Sequence, residues 1–379
     1  MNLVHDIGFA VLAVSVGGVA YTVAAALLVG RLRGRPPAAG AKVAPATLLK
    51  PLCGEEPGLG GNLESFLRQD YAAAVQVVFG IQDPADPARA VAERIRAAHP
   101  AADVELVVDR RLHGPNRKIS NLINMAAHAR HDLLVLSDAD MAVAPDYLSR
   151  VAAALAEPGV GAVTCYYYGE ARNGSWSRLG AMGLSYGFLP NVVTGVAAGL
   201  ALPCMGSTIA IRRQVLEEIG GLGAFTGVLA DDYEIGRAVR AKGYRVALPP
   251  FAIAHGCAES SLKELFAHEL RWAVTVRLID PVGHVCSVIT HAFPLAVVAA
   301  VMLDGSPYAL TAVAAALLAR LGLKWTVDRA VGAPTGLWSL MPVRDLFSFI
   351  VFAGSFFARA VYWRGARFGV SSNGKFFPA

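Results

Sequence analysis

The chain has 379 residues, 55% of them hydrophobic and only 17% charged, with a formal net charge of +5 and a mean hydropathy of +0.46. Soluble globular chains carry about a quarter charged residues. The balance therefore excludes disordered chains, collagen-like repeats and nucleic-acid tails, and it points to membrane segments joined to a folded domain.

Ile7–Gly30 is a run of 24 residues without Asp, Glu, Lys or Arg, enough helix to cross a hydrocarbon core of ~30 Å. Arg31, Arg33 and Arg35 follow it at once. This polarity is opposite to that of a secretory signal and places residue 31 onward in the cytoplasm. The segment reads as an uncleaved anchor.

From Thr47 to about Val163 the pattern alternates. Thr47–Leu52, Val75–Ile81, Val104–Val108 and Leu133–Leu136 are short runs rich in Val, Leu and Ile, as buried parallel strands are. Between them Ala88, Val91, Ala92, Ile95 and Ala98, then Ile119, Leu122, Ile123 and Ala126, recur at helical spacing. Such alternation predicts a doubly wound α/β sheet, with ligands at the carboxyl ends of its strands. No G-x-G-x-x-G or Walker loop is present, which argues against a dinucleotide or P-loop site.

Carboxylates stand at those strand ends. Gln82-Asp83 follows one strand and Ser137-Asp138-Ala139-Asp140 another. Two carboxylates on one short loop suit Mg²⁺ or Mn²⁺, hard cations that also take phosphate oxygens; turn capping is the competing reading of the pair. Asp231-Asp232 follows a Gly-rich stretch and opens a predicted helix, Tyr233–Ala241. One Asp would serve as N-cap, leaving the second available as a general base.

Leu179–Ile211 has 33 residues without a formal charge but is broken by Gly180, Gly183, Gly187, Pro190, Gly195, Gly199 and Pro203. It is expected to be buried or to skirt the membrane, since a crossing would separate the acidic motifs on its two sides. His268-Glu269-Leu270-Arg271-Trp272 lies on an amphipathic segment. There Arg271 could grip a diphosphate and Trp272 form an apolar wall, or the two could be a snorkelling Arg and an interfacial Trp. Further on, Val282–Leu303, Tyr308–Leu323 and Leu346–Trp363 are membrane candidates, the first two joined by Asp304-Gly305-Ser306-Pro307. Lys324, Arg329 and Arg344 then return on the cytoplasmic side. Leu346–Trp363 fits either a span or an interfacial segment, because Arg364, Arg367 and Lys375 beyond it oppose the orientation rule. The five cysteines, 53, 165, 204, 257 and 286, have no metal-like spacing and are expected to be buried reduced thiols.

Taken in order, these motifs resemble the membrane-bound ceramide glucosyltransferase family, with its D, D, D, (Q/R)xxRW signature. Leu49–Gly54, Asn62–Phe66, Asp70-Tyr71, Asn116–Leu122 and the tail Tyr362–Phe368 resemble further family segments. The resemblance implies a GT-A domain and divides the chain into an anchor (1–35), a cytoplasmic catalytic domain (45–280) and a membrane region (281–379) with two or three helices. It implies that Asp83 lies near the nucleotide base, that Asp138 and Asp140 hold the metal, that Asp232 is the catalytic base and that Arg271-Trp272 is the RW pair. Lys118 would be a nucleotide or phosphate contact. His268 departs from the Gln or Arg of the signature. The implied reaction is inverting transfer from a UDP-sugar to a membrane lipid hydroxyl by an enzyme of a bacterial-type inner membrane. Gly114–Lys118 and Cys204–Thr208 resemble the hopanoid-biosynthesis branch, with N-acetylglucosamine passed to a hopanoid polyol; UDP-glucose with ceramide, and a processive polysaccharide synthase, are the alternatives.

Overall fold

The computed structural model describes residues 3–32, 43–228, 230–358, 360–363, 366–370 and 376–378. It divides into two compact units: an α/β unit of residues 33–168 and 201–258, and a helical unit of residues 1–32, 169–200 and 259–379.

The α/β unit is built on ten strands, the seventh of which leads into the helical unit: β1 (Ala46–Pro51), β2 (Val75–Ile81), β3 (Asp103–Val108), β4 (Leu133–Leu136), β5 (Met141–Ala142), β6 (Val160–Val163), β7 (Tyr166–Ala171), β8 (Ile209–Arg212), β9 (Arg245–Ala247) and β10 (Ala252–Cys257). Seven form one sheet in the order β3-β2-β1-β4-β8-β6-β9. The first four are parallel. These are the strands expected from the apolar runs, and β8 then runs antiparallel to both β4 and β6, so the sheet is mixed. β10 pairs antiparallel with the short β5, placing His255 opposite Met141.

Alternate residues of each strand feed two cores. Leu48, Val77 and Val135 pack on one face with Leu63, Phe66, Val91 and Val151. Leu49, Val78 and Leu134 pack on the other with Ile119, Leu122, Ile235 and Val239. Burial on both faces explains the continuous apolar runs. Gly80 on β2 has no room for a side chain: a Cβ would lie 2.2 Å from Met125 Sδ and 2.6 Å from Asn121 Oδ1. Helix Arg117–Ala126 is thereby drawn onto the sheet, and Asn121 Nδ2 donates to the Gly80 carbonyl at 2.8 Å.

In the helical unit, Leu3–Val29 and Pro307–Val331 are each long and apolar enough to cross a membrane. Gly8, Ser15, Gly18 and Thr22 form the buried stripe of the first. A Cβ on Gly18 would lie 2.5 Å from the Ile289 carbonyl, and Ser15 Oγ donates to the Ala292 carbonyl at 2.9 Å. This is close packing through small residues, the means by which helices associate where lipid removes the hydrophobic drive.

Val282–Leu303, expected as one span, is instead a pair of shorter elements, Pro281–Thr290 and Ala292–Met302, bent by 70°. Pro294 sits in the first turn of the second element, where its missing N–H leaves no intrahelical bond unmade. Nor is Leu346–Trp363 one helix. Met341–Ser355 has 15 residues, about 22 Å of helix and short of a hydrocarbon core. Ala360–Trp363 is a strand paired with Ala366–Val370. Arg33, Arg35, Arg364 and Lys375 of the orientation argument lie outside the described residues.

The uncharged run 179–211 breaks into the end of helix Gly174–Gly183, a π-helical turn at Leu184–Phe188, helix Leu189–Ala197 and, in the other unit, β8. Its glycines and prolines prevent a single long helix. Several basic residues beyond it are paired with acids. Arg320 makes a bidentate pair with Asp345 at 2.8 and 2.6 Å, Arg344 another with Glu269 at 2.7 and 2.8 Å, and Lys324 pairs with Asp328 at 2.8 Å. Cys165, Cys204 and Cys257 are buried thiols, whereas Cys53 and Cys286 are exposed, against expectation.

Candidate active site

The carboxyl end of β4 delivers Ser137, Asp138 and Asp140. Below them lies Lys50, a fully buried lysine on β1. Its ammonium donates to Ser137 Oγ at 3.4 Å and to the backbone carbonyl of Asp138, and it sits 3.8 Å from the centre of the Phe66 ring. Burial draws this ammonium down to about 7, against the opposing pull of Asp140 and Asp138.

Helix Asp231–Ala241 brings the second acidic motif. Its N-cap is Ala230, which has no capping side chain, so both Asp231 and Asp232 lie within the first turn. Neither is the N-cap expected of one of them. Asp232 instead accepts from two backbone N–H groups, Gly206 to Oδ2 at 2.8 Å and Tyr233 to Oδ1 at 2.8 Å. Gly206 also turns its carbonyl to the Asp138 N–H at 3.1 Å. One residue's backbone thus joins both acidic loops. A Cβ there would lie 2.6 Å from Asp138 Oδ2 and 2.8 Å from Lys118 Nζ, so any side chain at this position would displace both charged groups.

Lys118 bridges the two motifs, with its ammonium 2.6 Å from Asp138 Oδ1 and 3.5 Å from Asp231 Oδ2. Asn116 caps helix Arg117–Ala126 by accepting from Ile119 N at 3.1 Å, while its amide donates to Asp231 Oδ1 at 3.1 Å. Burial would lower the Lys118 ammonium, but Asp138, Asp231 and Asp232 together hold it above the usual lysine range. For Asp232, burial and the neighbouring Asp231 outweigh Lys118 and the two N–H donors and push the carboxyl up to about 6. That value suits a group that must take up a proton near neutral pH.

Asp140 lies 3.3 Å from His255 Nε2 through Oδ2, and the imidazole stacks on Tyr167 at 5.5 Å between centroids. Asp140 Oδ1 is shielded from solvent and has no hydrogen-bond partner among the described residues. An orphaned buried carboxylate oxygen beside Asp138 fits a divalent cation. No group of three or more His, Cys, Asp or Glu converges among the described residues, but Mg²⁺-type sites need only one or two carboxylates when phosphates and water complete the shell.

The structure therefore brings together Asp138, Asp140, Asp231, Asp232 and Lys118. Asp83 is not joined to them by any hydrogen bond or ion pair; it caps its own loop through Ala85 N at 3.0 Å and faces Arg110 at 3.9 Å, both side chains exposed. Arg271 and Trp272 belong to the helical unit, on helix Leu262–Ile279. There His268 packs its ring 4.1 Å from that of Trp272 and holds Glu259 through Nδ1 at 2.7 Å. The departure from the signature at position 268 is thus a ring packed against the tryptophan. Lys50, Gly206 and His255 carry site geometry that no motif assigned to them, because a lone Lys, Gly or His inside an apolar stretch has no pattern of its own.

A mixed sheet of this topology with acidic loops at the strand ends is that of the GT-A glycosyltransferases. The chain belongs to glycosyl transferase family 21, whose model matches residues 9–376. It is similar to two Caenorhabditis elegans proteins, ceramide glucosyltransferase 1 (24% identical over 231 residues, 60% of this chain and 48% of that protein) and ceramide glucosyltransferase 3 (25% over 235 residues, 60% and 49%). The chain thus spans about half the length of these curated relatives. Among solved structures, a mannosyltransferase from Pyrobaculum calidifontis in complex with GDP-Man and Mn²⁺ aligns over 93% of this chain and 99% of its own, with a TM-score of 0.52 and 23% identity. That likeness speaks to the fold.

Proposed function

We propose that the protein is an inverting, metal-assisted transferase that moves a sugar from a UDP-sugar to the hydroxyl of a membrane lipid, with the α/β unit in the cytoplasm. The observation that carries this reading is Asp232, half-buried, raised to about 6 and tied through Gly206 to the Asp138 loop. In the proposed step Asp232 takes the proton of the acceptor hydroxyl. The hydroxyl oxygen forms the new bond to the anomeric carbon, while the bond to the diphosphate breaks and UDP leaves with the electron pair. Asp138 and Asp140 would hold Mg²⁺ or Mn²⁺, which when bound neutralises charge growing on the diphosphate. Lys118 supports the same charge balance, and Asp83, Arg271 and Trp272 keep the roles the family signature gives them.

For the acceptor we favour a hopanoid polyol receiving N-acetylglucosamine, supported by the segments 114–118 and 204–208. Ceramide with UDP-glucose is the second reading, favoured by the names of the relatives. Membranes containing the full chain, supplied with labelled UDP-N-acetylglucosamine or UDP-glucose and each lipid, test both. Transfer that persists undiminished in Asp232→Asn would refute the mechanism, and polymer in place of a single-sugar lipid would refute the product.

A further inference from the structure

The helical unit contains a cavity of about 240 Å³ lined by residues of 180–191, 269–291 and 320–352. That is room for a lipid head group. Its wall mixes polar and charged side chains with apolar ones. The formal charges on it cancel in two closed pairs, Arg320 with Asp345 and Arg344 with Glu269. Arg320 gives its remaining guanidinium nitrogen to the Tyr186 carbonyl at 2.7 Å. An anionic head would have to compete with a bidentate carboxylate for each arginine, and a cationic head with an arginine for each carboxylate.

What the cavity offers beyond these pairs is uncharged. Ser287 and Thr290 give their protons to backbone carbonyls, at 2.7 and 2.8 Å, which leaves their oxygens as acceptors. Asn191 accepts from Tyr21 at its Oδ1, at 3.0 Å, which leaves its amide hydrogens as donors. Apolar wall comes from Trp272 and Phe352. Gly187 keeps the space open, since a Cβ there would meet nothing within 4 Å.

We propose that this cavity binds the hydroxyl-bearing head of a neutral membrane lipid, the acceptor of the transfer, an assignment of role that rests on the reading above. Donors and acceptors without net charge, beside an aromatic wall, suit several hydroxyls on an apolar body, and the cancelled charges select against anionic phospholipid heads.

The test uses the full chain in phosphatidylcholine nanodiscs and two photoreactive probes, a ceramide and a hopanoid polyol, each with a diazirine beside its polar head. At least one is expected to label 184–191, 284–291 or 345–352. Its unlabelled form should compete, and excess phosphatidic acid should not. Gly187→Leu and Ser348→Leu, which fill the cavity from opposite segments, should each lower labelling at least fivefold and raise the acceptor KM tenfold, with the donor KM unchanged. If one variant fails to fold, the other carries the test. Labelling by neither probe, labelling that both variants leave intact, or equal competition by phosphatidic acid would overturn the inference. Normal, competable labelling without any sugar transfer would sustain the cavity as a lipid site and overturn the transferase reading instead.

Discussion

Lys118 places its ammonium 2.6 Å from Oδ1 of Asp138, so the first carboxylate of the D-x-D loop meets a counter-charge from its own chain. Replacing Lys118 with Met leaves Asp138, Asp231 and Asp232 close together without it. Transfer should fall at least tenfold. Because Lys118 lowers the Asp232 carboxyl, its removal should also move the acid limb of the pH–rate profile upward. A limb that stays in place would show that the two groups are not coupled.

In the wild-type protein the limb itself follows from Asp232. Its carboxyl stands at about 6 and must be ionised to accept a proton. Activity should therefore drop about tenfold per pH unit below that value and level off above it. The stability sign is the reverse. A carboxyl raised on folding favours the protonated chain, so this stabilisation is present at low pH and is lost as pH rises through about 6. Asp232→Asn should then be at least as stable as the parent at pH 8 by thermal unfolding, while losing transfer by a factor of about 10²–10⁴.

Gly206→Ala puts a methyl group 2.6 Å from Asp138 Oδ2. The expected result is a loss of about 1–3 kcal/mol, as for other overpacked sites, with transfer reduced more than tenfold. Denaturation and activity measured on the same preparation separate the two effects.

Chelation should stop transfer and Mn²⁺ or Mg²⁺ should restore it. Asp140→Asn removes the ligand whose Oδ1 has no partner among the described residues, so it should raise the concentration of Mn²⁺ needed for half-maximal rate at least tenfold. An unchanged metal titration would exclude Asp140 as a ligand.

Arg320→Leu breaks the buried pair with Asp345 and should cost about 3–5 kcal/mol, whereas the double change Arg320→Leu, Asp345→Leu should recover most of the loss. Thermal unfolding in detergent reads both.

The apolar runs at β1, β2 and β4 were legible because burial on both faces leaves a continuous signal. So were the acidic positions at strand and helix ends, which sit where an open sheet exposes its loops. Lys324 and Arg344, which as isolated letters look like orientation charges, lie buried against Asp328 and Glu269. Their partners are set by helix packing, which no local window contains. The antiparallel β8 was hidden for a similar reason, since Ile209–Arg212 ends an uncharged run with no break in hydropathy. His255 and Lys50 were silent because their role lies in what is beneath or beside them across strands.

The stripe of Gly8, Ser15, Gly18 and Thr22 has a consequence for how the first helix can be exchanged. Any apolar segment of equal length would keep the hydropathy profile and the capacity to span. A leucine-rich one would lose the groove into which Ile289 and Ala292 settle. The N-terminal helix is thus a fitted component of its unit, replaceable by contour but not by greasiness.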